Sequence, residues 1–227
     1  MVLLSVGSDC LRANAWICGE YVSTRSSDIL TALRQHVTLT VVSVVIGLIV
    51  AIPVALAVRR WRWTEGGVLG ATSVLYTLPS IALFALLVPF TGLTARTVVI
   101  GLVLYSLVIL VRNILAGLDG VPAEVREAAR GMGYGDLRLL LRVELPLALP
   151  AIVAGLRIAT VSTIALVTVG AVIGNGGLGN LIYDALGSNF KAEVLTASVL
   201  CVLLAVVADL LLLGLQRLLT PWRRAQA

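Results

Sequence analysis

One lysine and one histidine stand among 227 residues, and only 13% of the chain is charged. Each scarcity excludes something. A Walker A loop needs a lysine beside a glycine-rich turn to reach nucleotide phosphates. Lys191 follows Asn189 and Phe190, so no such loop exists here, and any ATP the protein uses must be hydrolysed by another chain. With one histidine, three cysteines and no CxxC pair, no metal site is expected. No His/Asp/Glu cluster or nucleophile–base pair presents itself, which makes a membrane-bound enzyme the weakest reading. Polar surface is short as well. A soluble domain is about 25% charged and about 45–50% apolar, whereas this chain is 59% hydrophobic with a mean hydropathy of +1.03. That excludes a cytosolic enzyme, a secreted disulfide scaffold and a disordered chain, and leaves an integral membrane protein. The net charge of +5 does not point to nucleic acid, because the arginines sit at the ends of apolar runs and form no stripe. Residues 2–6 are too short for the apolar part of a signal peptide, about 7–15 residues, so insertion is expected to rely on the first span.

What is present is five apolar segments, at residues 37–58, 68–90, 97–118, 147–172 and 194–215. Each approaches the roughly 20 apolar residues that a spanning helix needs, and their length and Leu/Val/Ala/Ile content favour helices over barrel strands. Basic residues orient the chain. Arg59, Arg60, Arg62, Arg126, Arg130, Arg138, Arg142, Arg217, Arg223 and Arg224 fall on one side of a five-span chain; Arg12, Arg25, Arg34, Arg96 and Lys191 fall on the other. The ten-to-five bias places the N-terminus outside and the C-terminus in the cytoplasm. Trp61, Trp63 and Trp222 then lie at the cytoplasmic boundary, where aromatic belts form. Cys10 and Cys18 either pair outside the cell or stay free in a mobile tail. His36, at the outer edge of span one, reads as an interfacial polar residue.

The loop at residues 119–146 carries the densest pattern. Pro122 at a first helical position and Glu124 in the first turn mark a helix start. Arg130 suits its negative end, and Gly131 and Gly133 stop it. Asp136 reads as the N-cap of a second short helix, and Pro146 as the residue that opens span four. Val125, Ala128, Ala129 and Met132 share one face by their spacing. The two alanines make that face shallow enough to enter a groove on a partner, or to pack on the protein's own helices.

Glu127-Ala128-Ala129, three residues, Gly133, nine residues, then Val143-Glu144-Leu145-Pro146 resembles the EAA motif of ABC importer permeases, with Val143 in place of isoleucine as the one departure. The resemblance implies that this loop is a coupling helix docking into an ATPase subunit. Glu127, Ala128, Ala129, Met132, Gly133 and Pro146 are then the coupling residues, with Gly133 supplying the turn. Residues 76–83, Tyr105, Val111-Arg112-Asn113 and the run Ile173-Gly174-Asn175-Gly176-Gly177-Leu178-Gly179 resemble permeases for quaternary-amine osmoprotectants such as glycine betaine, carnitine and choline. Methionine and amino-acid permeases are the competing group.

Candidate path or gate residues follow. Pro79 removes a backbone hydrogen bond in mid-span and kinks or breaks the helix beside Tyr76 and Thr77, although membrane helices also tolerate proline. Arg112, next to Asn113, is placed to snorkel near the cytoplasmic end of span three. Arg157 lies deeper; charges there face a bundle interior or a wet cavity, and Asp209 is a candidate partner. Asn175, Gly176 and Gly177 form a tight turn on the outer side, at a gate or simply at a helix end. An arginine in the path would repel a pure cation and tolerate a zwitterion. The expected fold is all-α and integral to the membrane: about five transmembrane helices of the type I ABC importer permease fold, with a cytoplasmic coupling helix. Residues 1–34 form an outer segment, 35–220 the permease domain and 221–227 a cytoplasmic tail. The resemblance implies a bacterial inner-membrane location, a dimer of ABC ATPase subunits, a second permease chain, an extracytoplasmic binding protein, and no cofactor in this chain, with ATP and Mg held by the ATPase. A stand-alone carrier or channel is the alternative from another class, though no repeated halves are visible.

Overall fold

The computed structural model describes residues 10–221; Trp222, Arg223 and Arg224, used above for orientation, lie outside them. A short helix, α1 (Gly19–Thr24), precedes α2 (Ser26–Arg60). A 3-10 turn (Arg62–Thr64) leads into α3 (Glu65–Thr77), followed by α4 (Ser80–Thr91), α5 (Ala95–Asp119) and α6 (Ala123–Gly131). Then come α7 (Asp136–Leu139), a π-turn (Leu140–Glu144), α8 (Leu145–Val167), a 3-10 turn (Thr168–Ile173), α9 (Leu178–Ser188) and α10 (Lys191–Leu219).

Four stretches are long and apolar enough to cross a membrane: α2, α5, α10 and the continuous Asp136–Ile173. The fifth expected span is not one helix. Arg62–Thr77 and Ser80–Thr91 meet at 99°, and count as a span only if the bent pair is taken together. Leu78 is extended (ψ 134°), as the residue before a proline must be to avoid the ring, so Pro79 breaks the segment outright. A carbonyl freed inside a membrane protein needs a partner, and Leu78 finds one: Tyr105 donates its hydroxyl to that carbonyl at 2.5 Å.

The core is centred on α5. Leu110, Val111, Ile114 and Leu118 are buried against Ala51 and Ala55 of α2 and Ala148 and Ala159 of α8. Small residues on the flanking helices let backbones approach closely, which is how packing is gained where lipid supplies no hydrophobic drive. None of the most apolar stretch of α10 is buried within the chain.

Three local expectations are corrected. Helix α2 begins at Ser26, not near residue 37. Its 35 residues extend about 50 Å at 1.5 Å per residue, well beyond a hydrocarbon core of about 30 Å, so its polar first turns stand outside and leave no hydropathy signal. Pro122 is the cap residue before α6, with Ala123 the first helical residue. The second loop helix is not separate. Gly135, not Asp136, caps it, and it runs through the π-turn into α8, so Pro146 lies inside a continuous helix.

Candidate functional site

Helix α6 ends in a backbone motif that the sequence dictates. Tyr134 donates its N–H to the Ala129 carbonyl (3.1 Å) and Gly133 to the Arg130 carbonyl (2.9 Å), with Gly133 at φ +83°. This pair of bonds closes helices through a left-handed residue, usually glycine. The chain then turns into α7.

The exposed side of α6 is where a partner can reach it. Ala129 is buried (2%), while Val125 (38%) and Met132 (69%) are exposed, as are Glu127 and Ala128. The predicted four-residue face is thus split: Ala129 holds the helix to its own chain and the other three point away. Glu127 forms no ion pair or hydrogen bond with any described residue. The face shows shallow apolar residues beside an unpaired carboxylate. Pro146 does not belong to it; it is the second residue of α8, inside the continuous helix that starts at Asp136.

Behind α6 is a cluster that sequence reading does not single out. Glu144, with 4% of its side chain exposed, accepts two hydrogen bonds from Arg59 at the end of α2, one of them at 2.8 Å. Arg126 of α6 brings Nε to 3.1 Å from Glu144 Oε1, an ion contact without hydrogen-bond alignment, while its Nη2 donates to the Leu118 carbonyl at 2.6 Å. The only sequence signal was a lone glutamate among apolar neighbours. Nearby, exposed Arg62 donates to both oxygens of Asp119 (3.1 Å) and so pins the turn after α2 to the end of α5; that carboxylate raises the Arg62 pKa further.

The pathway candidates fall into three groups. At the break, Tyr76 stacks edge-on to Tyr105 with ring centres 5.9 Å apart, Thr77 bonds back to the Val74 carbonyl, and Arg112 does not snorkel freely but donates to Ser73 Oγ at 2.6 Å. Between α5 and α8, Asn113 packs against Gly155, where any Cβ would overlap it. Between α8 and α10, Arg157 and Asp209 form a two-point pair at 2.8 Å and 2.8 Å, each side chain partly exposed; the suspected partnership holds. Among the described residues no hydrogen bond joins one group to another.

The glycine turn is seated on α2. Gly176 donates to Asn180 Oδ1 (2.8 Å) and Asn175 to the Ile173 carbonyl (3.1 Å). A Cβ at Gly177 would meet the backbone of His36. His36 is therefore no interfacial residue: it is fully buried, with Nε2 3.0 Å from the Ile164 carbonyl of α8.

Cys10 and Cys18 are paired (Cα–Cα 5.5 Å), so residues 10–18 are no loose tail. The Asn14 side chain donates to the Asn189 carbonyl (2.8 Å) and accepts from Lys191 N (3.0 Å), and Tyr21 stacks on Phe190 (5.2 Å). Burial, then the Glu193 carboxylate, raises the Tyr21 hydroxyl above its ordinary pKa, so it stays neutral. Asn14 and Tyr21 thus hold the start of the described chain against the α9–α10 corner.

A family model described as a binding-protein-dependent transport system inner membrane component matches residues 43–225. The glycine betaine/carnitine/choline transport system permease protein OpuCD of Bacillus subtilis is 36% identical over 207 residues, 91% of this chain and 90% of that protein. The osmoprotectant import permease protein OsmW of Salmonella typhimurium is 40% identical over 193 residues, 82% and 89% of the two chains. The carnitine transport permease protein OpuCB of Listeria monocytogenes is 34% identical over 194 residues, 86% and 89%. Among solved structures, an inward-facing MetNI methionine ABC transporter chain superposes with a TM-score of 0.77 at 22% identity, covering 85% of this chain and 96% of that one.

Proposed function

The chain belongs to the family of binding-protein-dependent transport system inner membrane components, and from that premise we propose that it forms the membrane path of an ATP-driven importer for a quaternary-amine osmoprotectant of the glycine betaine, carnitine or choline type. Its fold is that of a type I ABC importer permease. The observation that carries the reading is α6: an exposed, shallow face with an unpaired Glu127, on a chain that has no Walker lysine. The relatives' substrates support the ligand class. The methionine transporter shares the fold at an identity too low to speak for substrate.

In this reading a pair of ATPase subunits holds ATP and Mg and receives α6 from each of two permease chains, while a binding protein delivers ligand from outside. ATP-driven closure moves α6, and the unbroken helix Asp136–Ile173 carries that displacement across the membrane towards the glycine turn. Glu127, Ala128, Met132 and Gly133 serve docking, and the Tyr76–Tyr105 break and the Arg157–Asp209 pair line the path or its gate. Radiolabelled glycine betaine, carnitine, choline and methionine tested in a host without its own osmoprotectant importers, with the partner ATPase and binding protein present, decide the substrate. Uptake of a quaternary amine that stops when the ATPase is inactivated is the expected result; uptake of methionine alone would overturn the substrate class.

We place the N-terminal segment (1–34) outside the cell and the tail (221–227) in the cytoplasm, with the permease domain between them. The basic-residue bias and the Cys10–Cys18 disulfide, a bond that persists in oxidising compartments, both support this. In a Cys201→Ser chain, a membrane-impermeant maleimide should label whole cells only after an impermeant phosphine reductant opens the disulfide. No labelling after reduction would reverse the orientation.

A further inference from the structure

We infer that Glu144 is a positioning residue that ties the coupling helix to the transmembrane bundle, and that Arg126 is the releasable half of that tie. The inference rests on the importer reading and adds to it the part that transmits motion.

Three elements meet at one carboxylate: Arg59 at the cytoplasmic end of α2, Arg126 on α6, and Glu144 where the π-turn gives way to α8. Two cations share one buried anion, so Glu144 stays compensated when one of them leaves, whereas losing both would isolate a charge in a low-dielectric site, which is costly. The two halves are unequal. Arg59 grips both oxygens of Glu144 with a flat fork, the strong geometry for a carboxylate. Arg126 approaches one oxygen by Nε alone, out of hydrogen-bond alignment, and spends its other end on the Leu118 carbonyl at the close of α5. The α2–α8 tie is therefore the fixed one, and the α6 tie is the one that a displaced coupling helix breaks or remakes.

The location also fits. The π-turn Leu140–Glu144 is the one widened stretch in the described helices, and such turns interrupt the regular ladder, often at functional sites. A force applied to α6 has two covalent routes, back through Gly120 to α5 and forward through the Gly133 elbow to α8. Glu144 adds a third, non-covalent route that reaches α2 as well. Without it α6 is held to its own chain by the buried Ala129 and by the Arg126 hydrogen bond to the Leu118 carbonyl.

The test uses the whole complex, permease with its ATPase and binding protein, in liposomes. Arg126→Gln leaves the Arg59–Glu144 pair in place and removes both contacts of Arg126, to Glu144 and to the Leu118 carbonyl, so that Ala129 alone of these contacts holds α6. Uptake of glycine betaine per ATP hydrolysed should fall about fivefold, the scale of one ion contact, with the ATPase still bound. Backbone amides at 123–131 should exchange with solvent faster while those at 145–167 do not. Arg126→Lys should recover part of the ratio, because it restores the charge beside Glu144 but not the second contact with the Leu118 carbonyl. If Arg126→Gln does not assemble, Glu144→Gln replaces it: it keeps the volume and an acceptor for Arg59, and the same fall is expected. A merely structural role would lower uptake and hydrolysis together, leaving their ratio unchanged, and that result would overturn the inference. So would wild-type exchange at α6 in Arg126→Gln. The exchange readout is independent of transport: absent uptake in the wild-type complex would overturn the importer reading, whereas unaltered α6 exchange would overturn the tie alone.

Discussion

Replacing Gly177 by alanine is expected to lower the midpoint of thermal unfolding by about 4–20 °C, taking about 2–4 °C per kcal/mol for a chain of this size. Two costs combine. Gly177 has φ +56° and ψ −122°, the first central position of a II′ turn, which glycine dominates because any Cβ strains it; about 1–2 kcal/mol is the usual scale of that strain. The new Cβ would also lie 2.7 Å from N, Cα and Cβ of His36. Two of those atoms are helix backbone and the third is fixed to it, so none can swing aside, and the His36 ring is itself held by the Ile164 carbonyl. Overpacking of this kind adds about 1–3 kcal/mol. Gly174→Ala is the internal control: its φ is +74°, but a Cβ there meets nothing within 4 Å. It carries the strain without the collision, and its shift should be about half as large or less. Scanning calorimetry or intrinsic fluorescence of the two purified variants decides the matter. Equal shifts would mean that α2 does not rest on the turn.

That seat also shows where sequence reading stops. Four glycines around Asn175 announced a turn, and they announced it correctly, because only turns need so many. Nothing local announced that the turn presses on His36, about 140 positions earlier by number. The same division runs through the molecule. Pro79 foretold a disruption, but its 99° angle is set by what α4 packs against and by Tyr105 capping the broken carbonyl. The amphipathic spacing of α6 was legible; which of Val125, Ala128, Ala129 and Met132 faces inward was not, since alanine suits either side. Arg157 needed a counter-ion, and Asp209 was the acid at hand in the last span, so the pair could be named before it was seen. Glu144 could not be matched to Arg59, 85 residues away, because many arginines were available. The loop's second helix was misjudged for a local reason. Pro146 reads as a helix start, yet the preceding π-turn joins α7 to α8, with the Leu145 N–H bonding back to the Leu140 carbonyl, and the helix continues through the proline.

The second large effect concerns function rather than stability. Gly133→Val should reduce coupled uptake roughly five- to thirtyfold, the reach of about 1–2 kcal/mol of left-handed strain, while leaving the chain folded and inserted. Gly133 is the positive-φ residue of the closing motif of α6, and the bonds on either side of it set the angle at which α6 leaves for α7. A β-branched residue avoids that region most strongly, so the elbow must open and α6 must tilt. The site is otherwise empty: no atom lies within 4 Å of a Cβ placed there. Bulk therefore predicts no effect, and backbone strain predicts a large one. Asparagine separates the two, because it is larger than alanine yet enters the left-handed region several times more readily than most residues. Gly133→Asn should keep most of the uptake and Gly133→Ala should fall between. If asparagine is as damaging as valine, the partner ATPase needs a bare backbone at this position, and the elbow is a contact surface rather than a hinge angle. If valine is harmless, the elbow does not set the angle of docking, and the importer reading loses the geometric step that joins α6 to α8.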